Sequence, residues 1–429
     1  MKFALVNPNW KFPNSIYFGC SHYHLPLEYG YAANILKTQG HEAVILDAHL
    51  TDISNEQIRA ELVQIQPDIT VITTAPTYLF WRCPPPELSI PMALADAIRD
   101  ICGRLIVVGP HGSTTPKYVL DKLGADAVVI GECEDMLANF IADKSQWHNM
   151  PSVCTKVNGE VVLNWPPHEV DIGKHDAICW PSDFIGFHTH QHHRFDSEPI
   201  GPGGEVEASR GCPFHCSFCA KHSCRDRYRK RNLDAVVKEI DMLISQGVEY
   251  IYFIDEIFLP DGEMLGALET RNISFGIQTR IDMWSAAQLD RLGHAGCVSI
   301  EAGIESISDR GRRHLNKNCR LTTDQLTELL MRARQTVPFV QATLMDIGID
   351  DPQQMQNWRQ MLSDEGIWAN KPVPLYPYPG SLEYVRHWGV PDDEAWIRSH
   401  EYYLSLTSEF SDIQDSRPLP LSVLEAGTR

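Results

Sequence analysis

No stretch of this sequence holds the ~20 consecutive apolar residues that cross a bilayer, and residues 1–10 lack the apolar run and cleavage site of a secretory leader. A membrane protein is disfavoured, and the expected location is the cytoplasm. Positive charge is scarce too: 37 Lys and Arg stand against 56 Asp and Glu, a net charge of −19. Nucleic-acid binding draws on an excess of Lys and Arg, so nucleic acid is not the expected partner. The local exception, RDRYRKR at 225–231, reads first as a solvated loop leading into a helix and second as a site for an anionic group. Paired zinc knuckles are absent, although the chain has 12 cysteines.

What the 429 residues do contain is two blocks of alternating strand and helix patterns, enough for two or three domains. Over residues 1–145, β-branched runs at 3–7, 43–47, 69–74, 105–109 and 127–131 alternate with helical patterns at 27–39, 55–64, 88–101, 116–123 and 134–141. The alternation predicts an α/β fold, a doubly wound Rossmann-like or flavodoxin-like parallel sheet. Ligands of such sheets sit beyond the carboxyl ends of the strands, which singles out the loops at 8–26, 49–54, 75–86, 110–115 and 132–133.

Regularity falls over residues 146–204. A hairpin turning at Asn158 and Gly159 is expected at 153–163, then a linker wrapping over the next domain. The linker carries His188, His190, His192 and His193, which lack the carboxylate or cysteine company of a metal site; acid–base work or substrate hydrogen bonding is the alternative. Residues 205–390 suit a partial (β/α)6 barrel with strands at 205–209, 250–254, 274–279, 298–303, 341–347 and 373–377. Its working residues belong at the strands' carboxyl ends. Residues 391–429 read as a tail, helical over 392–406, that caps the barrel mouth.

The most particular feature follows the first barrel strand: Cys212, Cys216 and Cys219 in a C-x3-C-x2-C array. Structural zinc takes four closed ligands, whereas three thiols on one loop can hold three irons of a cubane cluster and leave the fourth open. Unrelated buried thiols, or zinc completed elsewhere, are the plain alternatives. Cys224, Cys297 and Cys319 add no second cluster spacing.

This array, with the aromatic Phe218 before its last cysteine, resembles the signature of the radical S-adenosylmethionine (SAM) superfamily. The resemblance implies a 4Fe-4S cluster on Cys212, Cys216 and Cys219, with SAM at the open iron yielding a 5′-deoxyadenosyl radical. It also implies SAM contacts at later strand ends. Asp255 and Glu256 would face the methionine amino group, followed by Thr279 and Arg280, and then by Glu301, Gly303, Glu305 and Ser306 near the ribose and carboxylate. Barrel-end salt bridges are the competing reading. Residues 346–350 and 376–381 extend the likeness.

The first block resembles the cobalamin-binding domain that precedes the barrel in one large subgroup of that superfamily, through residues 26–30, 46–49, 109–112 and 130–132. Cobalamin contacts are then expected at Thr73, Thr74 and Thr77 and at Gly109, Gly112 and Ser113. Small residues let the backbone approach a nucleotide tail and hydroxyls reach its oxygens; ordinary turn chemistry is the alternative. The proline-stiffened loop at 80–86, with Phe80 and Trp81, suits a corrin face or a substrate channel. The D-x-H-x-x-G of histidine-ligating cobalamin proteins is missing from the first loop. Asp47 and His49 follow the second strand instead, and Asp52 stands where the glycine belongs, so His49 is not assigned to cobalt, nor are His22 and His24.

Taken whole, the resemblance implies a cobalamin-dependent radical SAM enzyme. Its first expected activity is methylation of an unactivated carbon in a small metabolite or biosynthetic intermediate, with electrons from an external donor of flavodoxin or ferredoxin type. Cyclisation or rearrangement, with cobalamin as electron carrier or with a vestigial first domain, is the nearest alternative. A non-catalytic iron–sulfur carrier or redox sensor is the alternative from another class.

Overall fold

The computed structural model describes residues 1–11, 23–76, 86–140, 143–187, 202–221 and 224–406. The chain forms two units, one of Met1–Phe187, Cys219–Arg227 and Pro377–Glu409, the other of His188–Phe218, Tyr228–Tyr376 and Phe410–Arg429. Thr77, the loop at 80–85, His22 and the histidines at 188–193 lie outside the described residues.

The first unit runs β1 (Lys2–Asn7), α1 (Leu27–Thr38), β2 (Glu42–Asp47), α2 (Asn55–Ile65), β3 (Ile69–Thr73), α3 (Ser89–Ile98), β4 (Arg104–Val108), α4 (Pro110–Thr114), α5 (Pro116–Leu123), β5 (Ala127–Val129), β6 (Val153–Val157), β7 (Glu160–Leu163) and α6 (Ser182–Phe187). Its strands make one sheet in the order β2-β1-β3-β4-β5-β6-β7. The first five are parallel, as alternating strands and helices require. Helices cover both faces, so these strands are apolar on both sides: Phe3, Leu5 and Val71 join one buried cluster, and Ala4, Val6 and Ile72 the other.

Three expectations change here. The hairpin at Asn158 and Gly159 forms, with φ of +52° and +87°, but it extends the first sheet instead of lying outside that domain. It pairs antiparallel with β5, Val128 opposite Cys154, and the unit continues past residue 145. Residues 110–114 form α4 instead of a loop, because the Ser113 amide and hydroxyl both donate to the Gly109 carbonyl, at 3.0 and 2.9 Å. Where a helix was expected at 134–141, the described residues hold a 3-10 turn, Met136–Asn139, with Met136, Leu137 and Ala138 buried.

The second unit runs β8 (Gly203–Val206), β9 (Ser209–Arg210), β10 (Arg229–Lys230), α7 (Leu233–Ser245), β11 (Tyr250–Phe253), α8 (Gly262–Glu269), β12 (Ser274–Thr279), α9 (Ala286–His294), β13 (Cys297–Glu305), α10 (Asp309–His314), α11 (Thr323–Arg334), β14 (Phe339–Asp346), α12 (Pro352–Asp364), β15 (Trp368–Ala369) and β16 (Val373–Pro374). The sheet order β15-β14-β13-β12-β11-β8 is all parallel, a six-stranded partial barrel with β16 beside β14. The expected sixth strand at 373–377 shrinks to two residues, since prolines cannot donate to a ladder. Asn370 substitutes for backbone there: its Oδ1 accepts from the Leu344 amide at 2.7 Å and its Nδ2 donates to the Leu344 carbonyl at 3.0 Å.

The chain ends its described part with α13 (Leu382–Trp388) and α14 (Ala395–Leu406), which belong to the first unit. Trp396 donates from Nε1 to Thr115 Oγ1 at 2.8 Å and its ring centroid lies 4.1 Å from that of His111. The basic run at 225–231 leads into α7 and is solvated in part: Arg227 and Lys230 are exposed, whereas its two ends are buried. Arg225 is buried against Glu28 at 2.9 Å, and Arg231 against Glu239 at 2.9 Å.

Candidate functional site

The cysteine loop leaves β8 under close control. Glu207 and Arg210, both buried, share two hydrogen bonds, Nε to Oε1 at 2.9 Å and Nη2 to Oε2 at 2.8 Å. Asp255, just past β11, accepts from the Ala208 amide at 2.8 Å through Oδ1 and from the Ser209 hydroxyl through Oδ2. Burial pushes its carboxyl well above the usual carboxylate range, against the pull of those hydrogen bonds. Glu256 accepts from the Gly211 amide at 2.7 Å, and Gly211 sits at φ +80°, where a side chain would be strained. Both carboxylates were expected on the SAM amino group. A buried carboxylate takes the nearest donors, however, and here these lie on the loop that carries the cysteines.

Cys216 is buried, Cys212 and Cys219 are half-buried, and none of the three is in a disulfide among the described residues. Among the described residues no ready-made group of three His, Cys, Asp or Glu stands at metal-binding distance. The fit to a cluster therefore rests on the donor chemistry: three thiols on one anchored loop, the set a cubane with one open iron requires.

Around the barrel, the other expected SAM residues are engaged within the protein. The Thr279 hydroxyl donates to the Phe258 carbonyl at 2.6 Å and accepts from Trp284 Nε1 at 2.8 Å. Arg280 forks onto Asp282 at 3.1 and 2.7 Å. Glu305, at φ +62°, pairs with the buried Lys317, and a Cβ on Gly303 would lie 2.6 Å from Glu305 Oε1. Ser306 donates to Asp350 Oδ1 at 2.9 Å. These are the barrel-end pairings that competed with the cofactor reading.

Glu301 differs. It lies in register with Gln278 on β12 and Gln341 on β14, so the three side chains share one face of the sheet. Gln341 is fully buried, and neither its Nε2 nor its Oε1 meets a partner among the described residues; the same holds for Ser299 Oγ and Gln278 Oε1. An unpaired buried polar group costs ~1–3 kcal/mol, so this row calls for a bound molecule or ordered water. Sequence reasoning missed Gln341, whose signal was a lone amide inside the run FVQATLMD of β14.

In the first unit β1 pairs with both β2 and β3, which puts the topological switch, and the crevice expected to take a ligand, at the carboxyl ends of β1 and β3. Thr74 stands there, buried, its Oγ1 without a partner among the described residues. Thr73 uses its hydroxyl on the Ala75 carbonyl at 2.9 Å. The Ser113 hydroxyl is used within the protein: it donates to the Gly109 carbonyl and accepts from the Gly131 amide, both at 2.9 Å. Glycine is required at 112, where a Cβ would lie 2.5 Å from Val128, while Gly109 takes φ +117°. Of these residues Thr74 and Gly109 best fit a cobalamin edge. His49 is buried, its Nδ1 accepting from the Trp10 amide at 3.2 Å.

Two family models match the chain, the B12 binding domain over residues 20–141 and the Radical SAM superfamily over residues 206–358. An uncharacterized methyltransferase of Pyrococcus horikoshii is 26% identical over 325 residues, covering 72% of this chain and 66% of its own length. The anaerobic magnesium-protoporphyrin IX monomethyl ester cyclase of Rubrivivax gelatinosus is 26% identical over 321 residues, covering 68% of this chain and 54% of its own. The chain thus spans between about half and two thirds of the length of these relatives. The solved structure of the radical SAM methyltransferase TsrM from Kitasatospora setae has the same fold, with a TM-score of 0.70 at 16% identity over 90% of this chain and 78% of its own. With the B12 binding model on the first sheet and the Radical SAM model on the cysteine-bearing barrel, the chain carries a B12-binding domain followed by a radical SAM domain.

Proposed function

We propose that this protein is a cobalamin-dependent radical SAM methyltransferase acting at an unactivated carbon of a small-molecule substrate. The observation that carries the reading is the pairing, in one chain, of a C-x3-C-x2-C loop at a barrel strand end with a B12-type sheet whose switch point presents the unpaired Thr74 hydroxyl. Bound there, the cluster and SAM supply one-electron chemistry that opens a C–H bond, and cobalamin supplies the methyl group. Cys212, Cys216 and Cys219 would hold the cluster, Glu301 and Gln341 would orient polar atoms of SAM or substrate inside the barrel, and Thr74 with Gly109 would contact cobalamin. Holding these partners in fixed positions provides the proximity that a short-lived radical needs. Electrons would come from a flavodoxin- or ferredoxin-type donor in the cytoplasm. No helix among the described residues is long and apolar enough to cross a membrane.

A second reading, ring closure, is favoured by the 26% identity to the magnesium-protoporphyrin monomethyl ester cyclase. Anaerobic reconstitution with iron, sulfide and hydroxocobalamin, followed by a metal count on the desalted protein, tests the first step. About four irons with one cobalt per chain supports the two-cofactor reading. Iron without cobalt overturns methyl transfer and leaves a radical SAM enzyme with an empty first domain.

A further inference from the structure

Residues 315–317, just after α10, grip the cysteine loop at successive points. The Ser217 amide donates to the Leu315 carbonyl at 2.9 Å. Asn316 Nδ2 donates to the His215 carbonyl at 2.7 Å. The Lys317 carbonyl accepts from Arg280 Nη1 at 2.6 Å, and the same guanidinium lies 3.9 Å from the centroid of the Phe214 ring. The Lys317 side chain, almost wholly buried, pairs with Glu305 at the end of β13. Asn316 and Asn318 both adopt left-handed backbone, φ +53° and +54°, so the chain turns on either side of Lys317. Phe214 and His215 lie between Cys212 and Cys216, and Ser217 follows Cys216, so every gripped residue is within two positions of a thiol.

We propose that residues 315–317 and Arg280 form a clasp that presets the spacing of Cys212 and Cys216, which makes Asn316 and Arg280 positioning residues for the iron–sulfur cluster. The proposal rests on the reading of the three cysteines as cluster ligands. Fixing one residue of a free loop costs ~1–2 kcal/mol in backbone entropy. The clasp meets that cost when the protein folds, so less is left to be met when the cluster binds. It does so without placing a lone charge beside the thiols, since Asp282 balances Arg280 and Glu305 balances Lys317. The guanidinium plane lies over an aromatic ring in a desolvated place, where such contacts are strongest. Arg280, expected on SAM, thus acts on the loop.

The test compares the full chain with Asn316→Asp, Asn316→Gly, Arg280→Lys and Cys216→Ala, each reconstituted anaerobically with iron and sulfide. Both Asn316 variants tolerate the left-handed backbone and remove the donor to His215; Arg280→Lys keeps the charge but loses the fork and the stacking plane. Iron per chain, the rate of iron loss to a chelator and the electron paramagnetic resonance of the reduced cluster are measured, with thermal melting of the iron-free protein. The expected result is normal melting and near-normal iron uptake, iron loss about three- to tenfold faster for each clasp variant, and altered g values. Parental loss rates and spectra in both Asn316 variants, with the cluster gone from Cys216→Ala, overturn the clasp and leave the cluster reading intact. Lowered melting without faster loss also overturns it, as a purely structural role. Parental iron and spectrum in Cys216→Ala would remove the cluster reading itself and the clasp with it. If Arg280→Lys fails to fold, the Asn316 pair decides.

Discussion

The strand ends of the two sheets are built from different chemistry. In the first sheet they carry hydroxyls and glycines. Ser113 ties the Gly109 carbonyl to the Gly131 amide, and a Cβ on Gly131 would lie 2.3 Å from the His168 backbone. In the barrel they carry buried ions in pairs: Glu207 with Arg210, Arg231 with Glu239, Arg280 with Asp282, Lys317 with Glu305. Buried ion pairs add little net stability but fix geometry, because breaking one strands a charge. The first design lets backbone come close to a ligand and leaves a hydroxyl free for it. The second uses its polar groups to hold one loop, and on the proposed reading ligand binding falls to the thiols and to Gln341, whose amide atoms meet no partner among the described residues.

The comparison breaks most sharply at the thiols. Replacing Cys212, Cys216 and Cys219 together by alanine should abolish SAM cleavage, measured as 5′-deoxyadenosine release; retained cleavage would end the radical assignment. Next comes the cost of touching each kind of strand end. Glu239→Ala leaves Arg231 buried and uncompensated and should lower unfolding free energy by about 3–5 kcal/mol. Ser113→Ala, which strips the Gly131 amide of its acceptor, should cost about 1–3 kcal/mol. Urea titrations of both variants check the order, and a reversal would mean that the barrel pairs are not as closed as their burial implies.

Thr74→Val swaps an unpaired hydroxyl for a methyl of the same shape. It should leave stability unchanged or raised by up to ~1 kcal/mol while lowering cobalamin retention; unchanged retention would take Thr74 out of the site. The smallest expected effect concerns His168, whose Nε2 lies 2.7 Å from Asp135 Oδ1. That hydrogen bond holds the imidazole above its usual 6.5. A group raised on folding stabilises fully below its unfolded pKa and loses that contribution as pH rises through the folded one. Melting temperature should therefore fall more from pH 6.5 upward in the parent than in His168→Gln, and parallel curves would refute the coupling.

Much of the architecture was legible because it is local. Every strand of the first parallel block came within two residues of its place, and α5 matched at both ends, since period and turn residues act over a few positions. The cysteine array was legible for the same reason: three thiols within eight residues need no folding to be recognised. Asp255 was legible as a strand-end carboxylate but not in its partners, because Ala208 and Ser209 lie 47 and 46 residues away. Gln341 was hidden because an amide in a strand becomes meaningful only once Glu301 is beside it. The tail helix was legible but not its partner, because Trp396 finds its acceptor on Thr115, 281 residues earlier.

By itself, then, the sequence determined the two α/β blocks, their order and the thiol spacing, all set by short-range periodicity and ligand count. Only the tertiary structure decided which polar groups hold the cysteine loop, which remain for a ligand, and where the C-terminal helices pack. Those outcomes turn on which buried donors and acceptors meet across the sheet, and burial leaves no polar group free to choose until its distant neighbours are in place.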